Sequence, residues 1–241
     1  MATDEDDITP GGSTVYRYQK AKEWEVADGE SHLEEISDHI EKPLGPIKSV
    51  FHEIVSDTVH VDVMWVEPSG ERPFHTLITS GMSDRPMQVP EGLEELAFIE
   101  LMVTLPENWQ IDEKSFEDER WYWPVGNLKF LARFPHKFDT WLGDGHTIPN
   151  GDPPEPYASD TKLNGMLIVP PLMVSDDFRT LRAHDDVSIH FMSCVPLYQE
   201  EMDLKLKKGV DALLELFDKN DITELIDPAR KNVARKRFGL F

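Results

Sequence analysis

Histidine and aspartate residues near the middle of the chain are the first candidates for chemistry. His136, Asp139, Asp144 and His146 lie close together in the sequence. Imidazole and carboxylate groups on a loop that folds back can close around a divalent metal ion, with a carboxylate as general base. Their spacing fits no established ligand pattern, and turn-capping aspartates beside surface histidines are the alternative. We therefore expect no metal and no cofactor, and keep the metal-dependent enzyme as the lesser alternative.

Sequence signatures of common enzymes are missing from the chain. It contains no glycine-rich nucleotide-binding motif, no HExxH zinc motif, no EF-hand loop and no GxSxG hydrolase motif. The single cysteine, Cys194, rules out an internal disulfide bond and a cysteine-rich metal site. Its position within an apolar run is typical of an inert thiol. The commonest nucleotide-binding, metalloprotease, calcium-binding and hydrolase signatures are therefore not found.

Charged and aromatic residues in predicted loops are better candidates, for binding rather than catalysis. Asp84 and Arg85 lie in a turn between Gly81 and Pro86, where the pair can brace the loop or face a ligand. Residues 141–160 contain three glycines and four prolines, which predicts a loop longer than the ~12–15 residues typical of structural connections. The contact residues that we predict are Asp84, Arg85, Trp141, Asp144, His146 and Asp152.

Two further sets of residues each allow two interpretations. The aromatic run at residues 121–123, with Trp109 nearby, is either a binding surface or part of the core. His60, His75 and His190 fall on three predicted strands. Their rings cluster if these strands are neighbours, and otherwise they are the polar positions of half-exposed strands.

Hydrophobic periodicity predicts the strands that position these residues. Val59, Val61, Val63 and Trp65 alternate with more polar residues, as in a strand with one buried face. Four further segments are rich in β-branched or large apolar residues and are bounded by turn residues. They are Phe74–Ser80, Phe98–Leu105, Leu163–Val169 and Val187–Val195.

Three segments are predicted to be helical. A capping-box pattern at Ser31–Glu34 opens the first helix, which ends at Pro43–Pro46. The second spans Asp112–Lys137 with a break at Pro124, and the third follows the apolar spacing of Met202–Phe217. Because helices and strands do not alternate regularly, we predict a single-domain α+β fold with a mixed, largely antiparallel sheet flanked by helices.

Composition shifts suggest three parts of the chain. Residues 1–14 are predicted to be a mobile acidic leader, residues 15–235 the folded domain, and residues 236–241 a basic C-terminal end. The last fourteen residues, Pro228–Phe241, carry five bases and no acid. This basic segment either docks on the acidic body or frays.

Overall charge limits the partners that the chain can bind. Acids outnumber bases 46 to 24, giving a formal net charge of −22, so nucleic acid and anionic membranes are not expected to bind. The longest apolar run, Met166–Val174, is too short to span a membrane, and the acidic N-terminus does not resemble a secretory signal. We expect a cytoplasmic protein with a basic protein partner and predict no oligomeric state.

Several short segments, taken in order, resemble one known family. They are Thr79–Met87, Glu100-Leu101 with Leu105-Pro106 and Trp109, Trp123-Pro124, Leu131–Phe134, Gly143–Gly151, Cys194–Leu197 with Glu200-Glu201, Gly209, Leu213-Leu214 and Ile226–Arg230. Together they resemble the Suppressor of fused family over roughly residues 30–235. The resemblance implies an α+β binding domain without a catalytic motif.

The resemblance also implies two kinds of function. Animal members of the family look like two-domain regulators that hold a transcription factor in Hedgehog signalling by adding its peptide to a strand. Because this sequence ends at Phe241 without a second domain, we expect a compact member and do not transfer that function. Compact members are similar to bacterial immunity proteins that neutralise toxins, often nucleases. We therefore predict a non-enzymatic immunity protein that occludes a basic toxin, with a peptide-binding regulatory scaffold as the alternative.

Overall fold

An eight-stranded mixed β-sheet forms the framework of the protein. This computed structural model describes residues 7–15, 31–52, 60–184 and 187–235. The strands are β1 (Asp7–Ile8), β2 (Thr14–Val15), β3 (Ile47–Phe51), β4 (Asp62–Val66), β5 (Phe74–Ser80), β6 (Ile99–Pro106), β7 (Thr147–Pro149), β8 (Gly165–Val169), β9 (Thr180–Arg182) and β10 (Ser188–Leu197). The helices are α1 (Leu33–Leu44), α2 (Glu119–Phe138), α3 (Gln199–Lys208) and α4 (Val210–Asp218).

Strand pairing in the main sheet is antiparallel with one exception. The order is β3–β4–β5–β6–β10–β8–β7, and β9 pairs with the first residues of β10. Among the strands of the described residues, β6 and β10 alone run parallel, with His190 opposite Ile99. The α+β fold with a mixed, largely antiparallel sheet is therefore confirmed.

Helices cover both faces of the sheet. On one face α2 packs against β5 and β6, whereas α1 and the α3–α4 pair cover the other face at its two ends. Neighbouring residues of β10 alternate between the faces, as a pleated strand requires. The buried residues include Leu77, Val103, Leu128, Leu131 and Cys194 beside α2, Ile36, Ile40, Ile78, Met102 and Phe191 beside α1, and Leu167, Val195, Met202 and Leu213 beside α3 and α4.

The strand β4 is buried on both faces. Alternation in the sequence predicted one buried face, but Asp62 and Met64 are buried together with Val63 and Val66. The prediction is wrong because α1 and α2 pack against opposite faces of the sheet. Val59, which opened the predicted strand, lies outside the described residues.

The first helix ends where its prolines predicted, but a proline does not break the second helix. The helix α1 begins after His32 without a side-chain cap, so the predicted capping box is wrong. It ends at Leu44, within the predicted Pro43–Pro46. The helix α2 runs through Pro124 without a break. Pro124 is buried beside Trp123 and Val125, and this packing offsets the hydrogen bond that the proline cannot donate.

The predicted C-terminal helix is divided in two. Gly209 separates α3 from α4 and has a φ angle of 89°. This backbone conformation is favourable only for glycine. The apolar spacing on either side of Gly209 is uninterrupted, so the spacing did not show the break. The N–H of Gly11, in the turn between β1 and β2, donates to the carbonyl of Leu206 on α3.

The domain boundaries remain predictions. Residues 7–15, within or next to the predicted leader, form the β1–β2 hairpin against α3, and residues 1–6 lie outside the described part of the chain. The predicted basic end, residues 236–241, also lies outside it. In the part that the structure describes, no helix has the length and apolar character needed to cross a membrane.

The start of the basic C-terminal segment docks on the domain. Arg230 makes a buried bidentate ion pair with Glu201 on α3, with N–O distances of 2.8 and 2.5 Å. Its guanidinium also donates to the carbonyl of Pro196 and lies over the rings of Tyr198 and Phe217. Of the two alternatives for this segment, docking is therefore correct for Arg230.

Candidate functional site

A buried glutamate organises the turn that follows β5. The carboxylate of Glu100 accepts hydrogen bonds from the hydroxyls of Thr79 and Ser83, at 2.5 and 2.6 Å. It also accepts from the backbone N–H groups of Gly81 and Ser83, at 3.0 and 2.9 Å. Through these four hydrogen bonds the buried carboxylate fixes the conformation of the turn at residues 81–84.

Burial also changes the proton affinity of Glu100. The side chain is completely buried, and this burial raises its pKa to about 7, although hydrogen bonds from Ser83 and Thr79 oppose the change. In the unfolded chain the pKa is 4.5. The folded state thus binds this proton more tightly, and the stability gained below pH 4.5 is lost as the pH rises through 7.

We expect Glu100→Gln to flatten this part of the pH profile. The amide has nearly the same shape as the carboxylate but does not titrate. Its oxygen can still accept from the N–H groups of Gly81 and Ser83 and from the Ser83 hydroxyl, which all donate to Oε1 of Glu100. Between pH 4.5 and pH 8 the stability of the variant relative to the parent should rise by roughly 3 kcal/mol, measured by urea unfolding. Glu91→Gln, at an exposed glutamate, is the control. Parallel profiles for the parent and Glu100→Gln would contradict the assignment.

Asp84 and Arg85 lie at the end of this turn and are half-buried. Burial raises the pKa of the Asp84 carboxyl, although the backbone N–H of His32 donates to it. The residues that follow this turn contact the chain just after the C-terminal end of α2, where the N–H of Gln88 donates to the backbone carbonyl of Thr140 at 3.1 Å. Asp84 and Arg85 are therefore part of a braced turn.

The start of the predicted contact loop packs against α3. The rings of Trp141 and His146 meet edge to face with centroids 4.4 Å apart. Burial and, to a smaller extent, the positive charge of Lys205 lower the pKa of His146 to about 4, although a hydrogen bond to the Trp141 carbonyl opposes them. His146 is therefore a neutral, packed side chain at neutral pH. Asp144 between them is exposed.

The middle of the loop is tied back on itself. Thr147–Pro149 forms β7 on the edge of β8, so the prediction of loop throughout residues 141–160 is wrong in part. Asn150 then closes a turn through two hydrogen bonds with Glu155. Its side-chain amide donates to the Glu155 carbonyl, and its backbone carbonyl accepts from the Glu155 N–H. Asp152 lies exposed in this turn.

An acidic cleft opens between the end of this loop and the start of α2. Its volume is about 890 Å³, and it is lined by Lys114, Glu117, Asp118 and Glu119 on one side and by Pro156–Ser159 with Thr161 on the other. Across the loop, residues 141–160 contain four acids and no lysine or arginine, and all four acids are exposed.

Aromatic stacking and helix capping hold the two walls of the acidic cleft together. Tyr157 stacks on Trp123 of α2 with ring centroids 4.9 Å apart. Asp118 caps α2 by accepting from the N–H of Arg120, and the guanidinium of Arg120 holds the pKa of Asp118 below its usual range. Thr161 donates to the Pro228 carbonyl at 2.8 Å. These contacts restrain the two backbone segments that carry the side chains of the acidic cleft.

The structure brings the predicted contact residues together only in part. Trp141, Asp144 and His146 lie side by side, and Asp152 lies in the next turn of the loop. The Asp84–Arg85 turn is joined to them through Met87, whose sulfur lies 3.4 Å from the N–H of Leu142. The acidic cleft itself was missed, although its acidic run at residues 117–119 was visible in the sequence.

The four residues of the lesser, metal-dependent alternative, His136, Asp139, Asp144 and His146, are not grouped as metal ligands in the structure. The Nε2–H of His136 donates to the Met82 carbonyl, and His146 packs on Trp141. Within the described ranges, groups of three ligand atoms that lie within 4.8 Å of one another occur elsewhere. They are His32 with Glu35 and His184, and His52 with His60 and Asp62.

The other ambiguous residues are now placed. Trp109 and Trp123 are buried in the core. Of the two interpretations of these aromatic residues, core packing is therefore correct and a binding surface is not. The three strand histidines do not cluster, because each has partners in a different part of the sheet. His75 accepts from Trp65, His190 contacts Thr180, and His60 lies 3.0 Å from Asp62.

Comparison with known proteins identifies the family. A family model described as Suppressor of fused protein matches residues 57–231. A search of curated protein sequences found no match. The fold is similar to a Suppressor of fused homologue from Neisseria gonorrhoeae FA 1090, with a TM-score of 0.62, 17% identity and coverage of 85% of this chain and 97% of that one.

Two further solved structures share the fold. One is the Sufu–Fu complex, with a TM-score of 0.59, 14% identity and coverage of 86% of this chain and 93% of that one. The other is Drosophila Suppressor of Fused, with a TM-score of 0.55 and 14% identity, where 87% of this chain covers 51% of the longer protein. The resemblance seen in the sequence is confirmed: the chain belongs to the Suppressor of fused family.

Proposed function

We propose that the chain is a non-enzymatic protein-binding domain that acts in the cytoplasm as an immunity protein. Its partner is a basic, nuclease-like toxin, which it neutralises by stoichiometric occlusion. The observation that carries the proposal is the acidic cleft, an open concave surface with three carboxylates along one wall. The Sufu–Fu complex, which has the same fold, supports a protein as the partner.

Charge complementarity gives the physical reason for this assignment. A nuclease binds phosphate groups through a positively charged surface. A protein with a net charge of −22 attracts such a surface over a distance and speeds association. The acidic cleft then provides a place where a basic side chain of the toxin meets Glu117 and Glu119, both exposed.

Affinity purification from the native cell tests the proposal directly. We expect one basic protein to co-purify at moderate salt and to be lost at high salt, because salt screens charge attraction between surfaces. Its nuclease activity should fall to zero at a one-to-one ratio with the chain. Glu117→Lys should slow association about tenfold at low salt, whereas Asp38→Lys, the same reversal on the exposed side of α1, should not.

Two results would contradict the immunity role. The first is a partner whose binding does not depend on salt, and the second is equal slowing by Glu117→Lys and Asp38→Lys. The latter would mean that overall charge, and not the acidic cleft, determines association.

A peptide-binding regulatory scaffold is the second candidate, because β3 is an edge strand. Its five residues, Ile47–Phe51, pair on one side with β4, and in the described sheet no strand pairs with the other side. An extended peptide can add to such an edge through backbone hydrogen bonds. Binding of this kind should survive Glu117→Lys, which separates it from occlusion by the acidic cleft.

A further inference from the structure

Three potential metal ligands from distant parts of the sequence converge at the start of α1. His32 precedes the helix, Glu35 lies in its first turn, and His184 follows β9. The Nδ1 atoms of both histidines approach the same oxygen, Oε2 of Glu35, at 3.3 Å for His32 and 2.7 Å for His184. This group is separate from the acidic cleft, and among the predicted contact residues it adjoins Asp84.

The spacing of these atoms suits a small tetrahedral ion. Zinc binds imidazole nitrogen and carboxylate oxygen at about 2.0–2.2 Å, so neighbouring ligand atoms around it are roughly 3.3 Å apart. The separation between His32 Nδ1 and Glu35 Oε2 already has this value. The His184 ring needs only a small outward movement to reach it, and His184 is about half exposed.

The surrounding backbone holds the ligands in place. The N–H of His184 donates to Oε1 of Glu35 at 2.8 Å, which leaves Oε2 facing both rings. The His32 ring is buried, and the rings of His32 and His184 have centroids 5.2 Å apart. The N–H of His32 in turn donates to the carboxylate of Asp84. Such outer contacts orient metal ligands and strengthen binding.

An open cavity beside the ligands leaves room for a fourth ligand. It has a volume of about 410 Å³ and is lined by residues 31–35 and His184. Two imidazoles and one carboxylate favour zinc and its neighbours among the transition metals over magnesium or calcium. We propose that His32, Glu35 and His184 bind one zinc ion, with water from this cavity as the fourth ligand.

Zinc at this position would hold the start of α1 against His184, which follows β9. This consequence does not depend on the proposed immunity role. The second histidine cluster provides an internal comparison, because His52 and His60 lie more than half exposed beside the buried Asp62, each 3.0 Å from a different oxygen. The two rings there do not share one oxygen.

Zinc titration of the whole chain, after treatment with a chelator, tests the proposal. Calorimetry should show one strong site in the parent, with affinity reduced at least tenfold in His184→Ala and Glu35→Gln. His52→Ala, which removes a ligand of the other cluster, should leave that site unchanged. Zinc should also raise the unfolding temperature of the parent and of His52→Ala, but not of His184→Ala, because binding stabilises the folded state.

Cobalt substitution provides a readout of geometry that does not depend on stability. Co²⁺ in the parent and in His52→Ala should show the visible absorption of a tetrahedral ion, and Glu35→Gln should lose it. Absence of a strong site in the parent would overturn the proposal. Retention of the site in both His184→Ala and Glu35→Gln, or its loss in His52→Ala, would overturn it as well.

Discussion

Gly81→Ala should destabilise the protein by about 4 kcal/mol. Gly81 has a φ angle of 108°, and a Cβ atom there would lie 2.0 Å from the carbonyl oxygen of His60. The backbone strain costs about 1–3 kcal/mol, and the overlap with a backbone atom costs about 1–3 kcal/mol more. A loss of about 4 kcal/mol is a large part of the 5–15 kcal/mol that stabilises a typical domain.

Urea unfolding and soluble yield measure this loss, and Gly92→Ala is the matched control. Gly92 has a similar φ of 88°, but nothing lies within 4 Å of the position that its Cβ would take. It should therefore show the backbone strain without the overlap, a loss of about 1 kcal/mol. Equal losses in the two variants would show that the contact with His60 does not restrict this turn.

Arg230→Ala should destabilise the protein by about 3–5 kcal/mol, because it leaves the Glu201 carboxylate buried without its charged partner. Glu201 has no exposed surface, and Arg230 is 8% exposed. The guanidinium also satisfies the Pro196 carbonyl at 2.7 Å. Chemical unfolding of the parent and the variant under identical conditions measures the difference.

Lys231→Ala is the matched control for the loss of a positive charge. Lys231 is the next residue, is exposed, and contacts Asn220 at 3.2 Å through its ammonium group. Its removal should change stability by less than about 0.5 kcal/mol. If Arg230→Ala is as mild as Lys231→Ala, the buried ion pair is not what fastens the C-terminal segment to α3.

Local sequence patterns were sufficient to locate most of the main sheet. Strands such as Phe74–Ser80 are long, apolar and bounded by turn residues, so period and composition identify them. The alternation of apolar and polar residues cannot show which strands have helices on both faces of the sheet. The strand β4 was therefore assigned one buried face. Pro124 was misjudged for a related reason, because packing rather than local preference lets the helix continue there. The break at Gly209 depends on a backbone conformation that apolar spacing does not show.

The functional surfaces depend on contacts that the sequence does not display. His184 approaches Glu35 from about 150 residues away, and no spacing rule connects positions so far apart. Glu100 was visible only as part of a family resemblance, since its role comes from the donors that surround it. The acidic run at residues 117–119 was visible, but the sequence does not show that the segment around Tyr157, which stacks on Trp123, forms the opposite wall of the cleft.

The parallel pairing of β6 with β10 has a consequence for the order of folding. Strands β3 to β6 pair with their neighbours along the chain, whereas the contact between His190 and Ile99 closes a loop of about 90 residues. Closing so long a loop is slow compared with forming hairpins, so we expect this seam to close late. Both walls of the acidic cleft lie inside that loop, and we therefore expect a nascent chain to complete the proposed binding surface only in the last steps of folding.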